Sequence, residues 1–302
     1  MNIDILEKRF KEIGARVKIR TMLPARRLSR PIRFLTDFFS RPTQIDRFSI
    51  NILRDKDGEF FSIDTPENAD IQVVNSDTKD RHLLLMHKDK RVVGENKGKE
   101  IINIAKFLCG HDERHWFVAA IPETAAAKNV REAKEALKPK EVIEAERLAG
   151  VKTKDKQKRK NVAMRRQGEW MFLPAKINEK NQIIFKNEPI RRGRSKPHYC
   201  EFLIRSGGTN VRICEVIREK VTESERLLVS NGLTDLEYKD FIKKYPKASS
   251  WTWRGMTRDA KVFVKGRITH VDHRTIILPD WHQVIPNTES KSRAGSKLAF
   301  LD

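Results

Sequence analysis

Short alternating runs of apolar and polar residues recur along the chain, and several come in pairs around a glycine-bearing turn. Phe48-Ser-Ile-Asn-Ile-Leu53 and Glu59-Phe-Phe-Ser-Ile-Asp64 flank Asp55-Lys-Asp-Gly58. Alternation puts every second side chain on one face of a strand, and glycine supplies the positive φ that a tight reversal needs, so this segment predicts a β-hairpin. Glu201-Phe-Leu-Ile-Arg205 and Asn210-Val-Arg-Ile-Cys214 repeat the pattern around Ser206-Gly-Gly-Thr209. Further strands are expected over Ile71–Val74, Arg81–His87, His115–Ile121, Glu169–Leu173, Gln182–Phe185, Lys261–Lys265, Ile268–Val271 and Arg274–Leu278.

Helical spacing competes with this signal in a few places. Ile3, Leu6, Phe10 and Ile13 share one face of a helix over residues 2–13. Lys99 to Leu108 reads as a helix, as do stretches of 124–149 and two segments near 222–231 and 234–244. Thr234-Asp-Leu-Glu237 has the form of a capping box. The expected fold is α+β: two domains with antiparallel hairpins and packed helices, joined by a basic linker. The boundaries fall at 1–122 (with a basic arm), 123–166 (helices and a Lys/Arg-rich linker) and 167–302 (β-rich).

Charge is the second constraint. Sixty-two Lys and Arg stand against 41 Asp and Glu, a formal charge of +21. The excess is grouped. Arg16, Lys18, Arg20, Arg26, Arg27, Arg30 and Arg33 occur with no acid between them, and Pro24 and Pro31 argue against a long regular element there. Lys152, Lys154, Lys156, Lys158, Arg159, Lys160, Arg165 and Arg166 surround a single acid, Asp155, and mutual repulsion predicts a mobile tether. Arg191, Arg192, Arg194 and Lys196 form a glycine-containing loop. Trp251, Trp253 and Arg254 place two indoles beside a guanidinium, an arrangement suited to stacking on bases if the Trp residues alternate on one strand face. Grouped cations attract a phosphate polymer and release its counterions, so the expected partner is RNA or DNA. The expected activity is binding without catalysis, with protein partners in a larger assembly, such as a ribonucleoprotein or mobile-element complex, as an alternative. No membrane partner is expected, because no apolar run approaches the roughly 20 residues of a spanning helix. Met1 to Gly14 has no signal-peptide core, and Cys109, Cys200 and Cys214 are too few for a disulfide framework, so a reducing, cytoplasmic setting is expected.

Two groups could carry chemistry. Cys109, His111 and His115, with His198 and Cys200, supply the thiolates and imidazoles of a zinc site, although without a CxxC pair. His270-Val-Asp272-His273, followed by Pro279, Asp280, His282, Asn287 and Lys291, resembles the start of an HNH nuclease motif. That resemblance implies an Asp-His pair serving a divalent metal and a general base, with His270, Asp272, His273 and His282 as the residues concerned. The chain departs from the motif in lacking its glycine-rich loop and its closing helical ligand. A turn between two strands is the plainer reading of the same residues. Gly94-Glu-Asn-Lys-Gly98-Lys lacks P-loop spacing, and neither GxGxxG nor GxSxG occurs. No cofactor is expected beyond these two metal alternatives.

Overall fold

A computed structural model describes residues 3–22, 48–66, 69–93, 99–192, 195–214, 216–217 and 220–291. The fold is mixed α+β, dominated by strands in several largely antiparallel sheets, with five α-helices among the described residues. None of these helices is long and apolar enough to cross a membrane.

Helix α1 (Ile3–Glu12) buries Leu6 and Phe10, one turn apart on a single face, while Asp4 and the pair Arg9 and Lys11 sit at the ends that the helix dipole favours. It covers a three-stranded sheet of β1 (Val17–Met22), β2 (Ser49–Asp55) and β3 (Gly58–Pro66), in the order β1-β3-β2. The hairpin β2–β3 forms at the expected turn, where Gly58 adopts φ +108°. The basic arm opens differently from expectation: residues 17–22 form a regular strand, parallel to β3. Residues 23–47, with Arg26, Arg27, Arg30 and Arg33, lie outside the described residues.

Strands β4 (Asp70–Asp77), β5 (His82–Val93), β6 (Lys99–Asp112) and β7 (His115–Ile121) make an antiparallel meander. The helix expected over Lys99 to Leu108 is therefore corrected to strand. Pairing with β5 in unbroken register from Val93↔Lys99 to His82↔Gly110 overrides the helical spacing of a short apolar run. The run Leu83-Leu84-Leu85 shows why. Leu83 and Leu85 join Phe107 and Cys109 in the core beneath α1, while Leu84 joins Leu108 and Ala119 in a second core. A sheet buried on both faces loses the clean alternation of a half-exposed one.

Helix α2 (Val130–Ala136) closes that second core and is capped by Asn129, whose side-chain oxygen accepts the Glu132 N–H at 2.9 Å. Residues 124–128 are not helical. Helix α3 (Lys140–Leu148) follows Pro139. The segment expected to be a mobile tether is instead a series of turns. Ala163 and Met164 are buried, and the Lys138 ammonium is held by both Glu146 (2.8 Å) and the Lys156 carbonyl (2.8 Å).

The rest of the chain contains β8 (Arg165–Gln167), β9 (Trp170–Pro174), β10 (Ile184–Ile190), β11 (His198–Ser206), β12 (Thr209–Ile213), α4 (Glu223–Asn231), α5 (Asp235–Lys244), β13 (Arg254–Arg258), β14 (Lys261–Thr269) and β15 (Ile276–Pro286). Six of these strands form one antiparallel sheet, β10-β11-β14-β15-β9-β8, around Phe172, Leu203, Val264, Ile268 and Leu278. The hairpin expected around Ser206–Thr209 is corrected here: both edges of β11 are occupied, by β10 and β14, so β12 leaves that sheet and pairs with β13 beside α4 and α5. Capping boxes at Thr222 and Thr234 start both helices. Changing Thr234 to Ala removes the acceptor of the Glu237 N–H, and a loss of about 1 kcal/mol is expected in urea unfolding.

The expected stacking platform is corrected here. Trp251 and Trp253 follow a 3-10 turn (Pro246–Ser250) rather than alternating on a strand. Trp251 is 6% exposed, and both rings pack with Phe241 and Tyr238 in the core of this helical unit. The Trp253 indole N–H donates to the Ala248 carbonyl at 2.9 Å. Arg254 is exposed on β13.

Candidate functional site

Three turns meet beside the six-stranded sheet. The β14–β15 connection carries His270, Asp272 and His273, the start of β11 carries His198, and the β8–β9 turn carries Gly168 and Glu169. The imidazoles of His198, His270 and His273 lie face to face. Their ring centres are 4.1, 4.7 and 5.7 Å apart, with planes 20–26° from parallel. One nitrogen from each ring lies within 4.8 Å of the others.

Gly168 makes this density of rings feasible. It adopts φ +56°, and a Cβ there would come within 2.7 Å of His273 Nε2. Gln167 orients the set. Its amide nitrogen donates to the carbonyls of Ile268 (3.2 Å) and Arg274 (2.7 Å), which turns its oxygen toward His198 Nδ1 at 3.0 Å. His198 therefore donates from Nδ1, which leaves Nε2 as the nitrogen turned toward Glu169. Glu169, 5% exposed, faces that nitrogen at 3.6 Å, and neither of its carboxyl oxygens has a hydrogen-bond partner. His273 Nδ1 is likewise buried without a partner, 3.9 Å from Glu113.

Burial, helped by the neighbouring rings, pushes the His270 imidazole down to about 4, and burial holds His273 below its ordinary value. Both rings are therefore neutral at pH 7. Asp272 bridges outward. Its backbone N–H donates to His270 Nδ1 at 3.1 Å, and its carboxylate accepts from Lys196 at 2.7 Å and stands 3.6 Å from His115 Nε2. The β6–β7 turn closes the far side, where Glu113 accepts the Arg274 N–H at 2.5 Å and Asp112 and Glu113 both pair with Arg159. A cavity of about 290 Å3 opens here, with Glu169, His273, Asp272 and Lys156 in its wall.

Only part of the sequence expectation is assembled at this point. His270 and His273 come together, but His282 does not join them. It lies on β15 opposite Val264 and Pro174, roughly 20 Å along the strand from Ile276. Its Nδ1 donates to the Asp280 carbonyl at 2.8 Å. The Cys/His zinc set is also corrected. Cys109 and Cys200 are fully buried in two different cores, and burial pushes both thiols up, Cys200 to about 12. His111 packs edge-on against Trp116, and His115 donates to Glu59 at 2.6 Å. Only His198 of that set enters the imidazole cluster. Gln167, Gly168 and Glu169 went unrecognised, because a Gln-Gly-Glu turn carries no signal until β8 and β9 are placed in the sheet.

The basic groups divide in two. Arg16 and Lys18 pair with Asp55 at 2.7 and 2.8 Å, and Arg20 pairs with Asp64 at 2.7 Å. Lys158 pairs with Asp155, Arg166 with Asp112, Lys196 with Asp272, and Arg192 with Glu289. The described start of the basic arm is thus matched by the protein's own acids. Lys152, Lys154, Lys156, Lys160 and Arg165 form no ion pair with another described residue, and Arg191 is exposed. Arg194 lies outside the described residues. No protein-family model, curated protein or solved structure matches the chain.

Proposed function

We propose that the protein binds nucleic acid, RNA or DNA, through phosphate contacts along residues 152–166. One observation carries this reading. The segment is folded into turns against α2 and α3, and its acids and nearby carboxylates are already committed to Lys158, Arg159 and Arg166. Lys152, Lys154, Lys156, Lys160 and Arg165 are left over within one short stretch. Fixed cations lose less conformational entropy on meeting phosphate than those of a free tether. The division into an N-terminal α+β domain, a helical and basic connecting segment, and a β-rich C-terminal domain belongs to the same reading, with the basic segment as the contact surface.

Filter binding of labelled RNA and DNA across a salt series tests it. If these five side chains each neutralise a phosphate, the logarithm of affinity falls with the logarithm of salt with a slope of about −4. Changing Lys152, Lys154, Lys160 and Arg165 together to Ala flattens the slope by about one unit per side chain. A flat wild-type slope, or the same slope in the variant, rejects the reading.

A second reading, cleavage of the bound strand, is favoured by one observation: His273 and Glu169 face the cavity that Lys156 also lines. Loss of cleavage on His273→Ala supports it. No cleavage by the wild-type protein with added divalent metal rejects it and leaves the binding reading intact.

A further inference from the structure

We propose that His198, His270 and His273 form a binding site for a divalent first-row transition ion of the zinc class, with Glu169 as a carboxylate ligand. The proposal does not depend on nucleic-acid binding and is tested separately from it.

Four observations converge. Three imidazole nitrogens already lie within 4.8 Å of one another. The ligand types suit the ion, since neutral imidazole with one carboxylate is a set that zinc accepts readily and that calcium and magnesium do not favour. Gln167 fixes His198 with Nε2 turned toward Glu169, the outer-shell arrangement that metal-ligating histidines use. Glu169 is the strongest of the four. It is 5% exposed, its carboxyl has no hydrogen-bond partner, and it faces His198 Nε2 at 3.6 Å. A carboxyl sealed from water without a donor is unfavourable, and a cation among the three rings supplies what it lacks.

Stacked neutral imidazoles alone would account for the rings but not for the carboxyl. Zinc–nitrogen bonds of about 2.0–2.1 Å require the rings to draw together and tilt from near-parallel. Glu169 stands beside His198 but outside the 4.8 Å set that the three nitrogens form, so its carboxylate must swing in as well. All four residues sit on strand ends or turns of one sheet, where side chains and the β14–β15 connection can make that adjustment. His270 provides a marker for it. Its Nδ1 accepts the Asp272 N–H at 3.1 Å. Coordination through Nδ1 displaces that hydrogen, and coordination through Nε2 as a neutral ligand places a proton on Nδ1, so the contact is lost either way. The cavity beside His273 and Glu169 leaves room for water or a substrate atom on the ion.

The test uses the full chain, stripped with a chelator and titrated with Zn2+ by calorimetry at neutral pH. One equivalent is expected, and Co2+ in its place gives a visible absorption band. His270→Ala and His273→Ala abolish this binding, Gln167→Ala weakens it about 10- to 100-fold, and His111→Ala leaves it unchanged. Should a variant fail to fold, the wild-type protein still decides the matter. Zn2+ is expected to shift the Asp272 amide and the three imidazole resonances in NMR spectra. No uptake of Zn2+ by the wild type, uptake undiminished in a folded His270→Ala/His273→Ala protein, or shifts confined to other residues overturns the proposal.

Discussion

Replacing Glu146 by Ala is expected to destabilise the protein by about 3–5 kcal/mol, enough to move the urea midpoint far to lower concentration. The Glu146 side chain is 0% exposed and that of Lys138 is 4% exposed, with Nζ to Oε2 at 2.8 Å. The other Glu146 oxygen accepts from Asn161 at 2.9 Å. The carboxylate thus ties the end of α2 to α3 and to residues 156–161 at once. Removing it leaves a buried ammonium with only the part-exposed Glu135, at 3.0 Å, and the Lys156 carbonyl. Because the pair is sealed from water, added salt changes the loss little. Replacing both residues, Lys138→Met with Glu146→Leu, should recover most of the stability, since no unpaired charge then remains. A loss below about 1 kcal/mol in Glu146→Ala contradicts this account.

The second large effect is pH-dependent and centres on Glu289. This residue is 2% exposed, and burial pushes its carboxyl up to about 7 despite Arg192 at 3.6 Å and the Ala120 N–H at 3.2 Å. The unfolded chain loses this proton near 4.5, while the native chain holds it until about 7. The native state therefore binds the extra proton across that window. Stability from this group is greatest below 4.5, falls as pH rises to 7, and is level above. The shift corresponds to on the order of 3 kcal/mol. His82 and His270, each pushed down to about 4 by burial, act in the opposite sense between 4 and 6.5. The informative quantity is therefore the difference between wild type and Glu289→Gln, measured by urea unfolding from pH 4.5 to 8. The variant is expected to gain on the wild type from pH 4.5 to about 7 and then to hold level. A constant difference removes Glu289 as the cause.

The β2–β3 hairpin was legible because alternation and turn glycine agree, as at Ile50, Ile63 and Gly58. The same local pattern around Ser206–Thr209 misled, since both edges of β11 are taken by β10 and β14 and β12 pairs with β13 instead. The capping box at Thr234 was legible for a similar reason: its partners lie three residues apart. Strand β6 was not, because its identity depends on β5 covering it along its full length. Charge clusters were visible as clusters but not as matched or unmatched sets. Arg16 finds Asp55 across 39 residues, and Arg159 finds Asp112 across 47, separations that no local pattern reports. The site was half visible for the same reason. His270 and His273 share a turn, whereas His198, Gln167 and Glu169 reach them only through the strand order of the six-stranded sheet.

The return of the chain after β15 has a consequence for biosynthesis. The residues just beyond it bond back to elements laid down much earlier. Thr288 reaches Ala136 and Leu137, and Glu289 accepts the N–H of Ala120, 169 positions upstream. At ribosomal speeds of about 5–20 residues per second, the β7 amide waits roughly 10–30 s for its acceptor to be made. Through that interval the Ala120 N–H has only water to bond, and the Ala136 and Leu137 carbonyls lack the Thr288 donors that tie the end of α2 down in the finished chain.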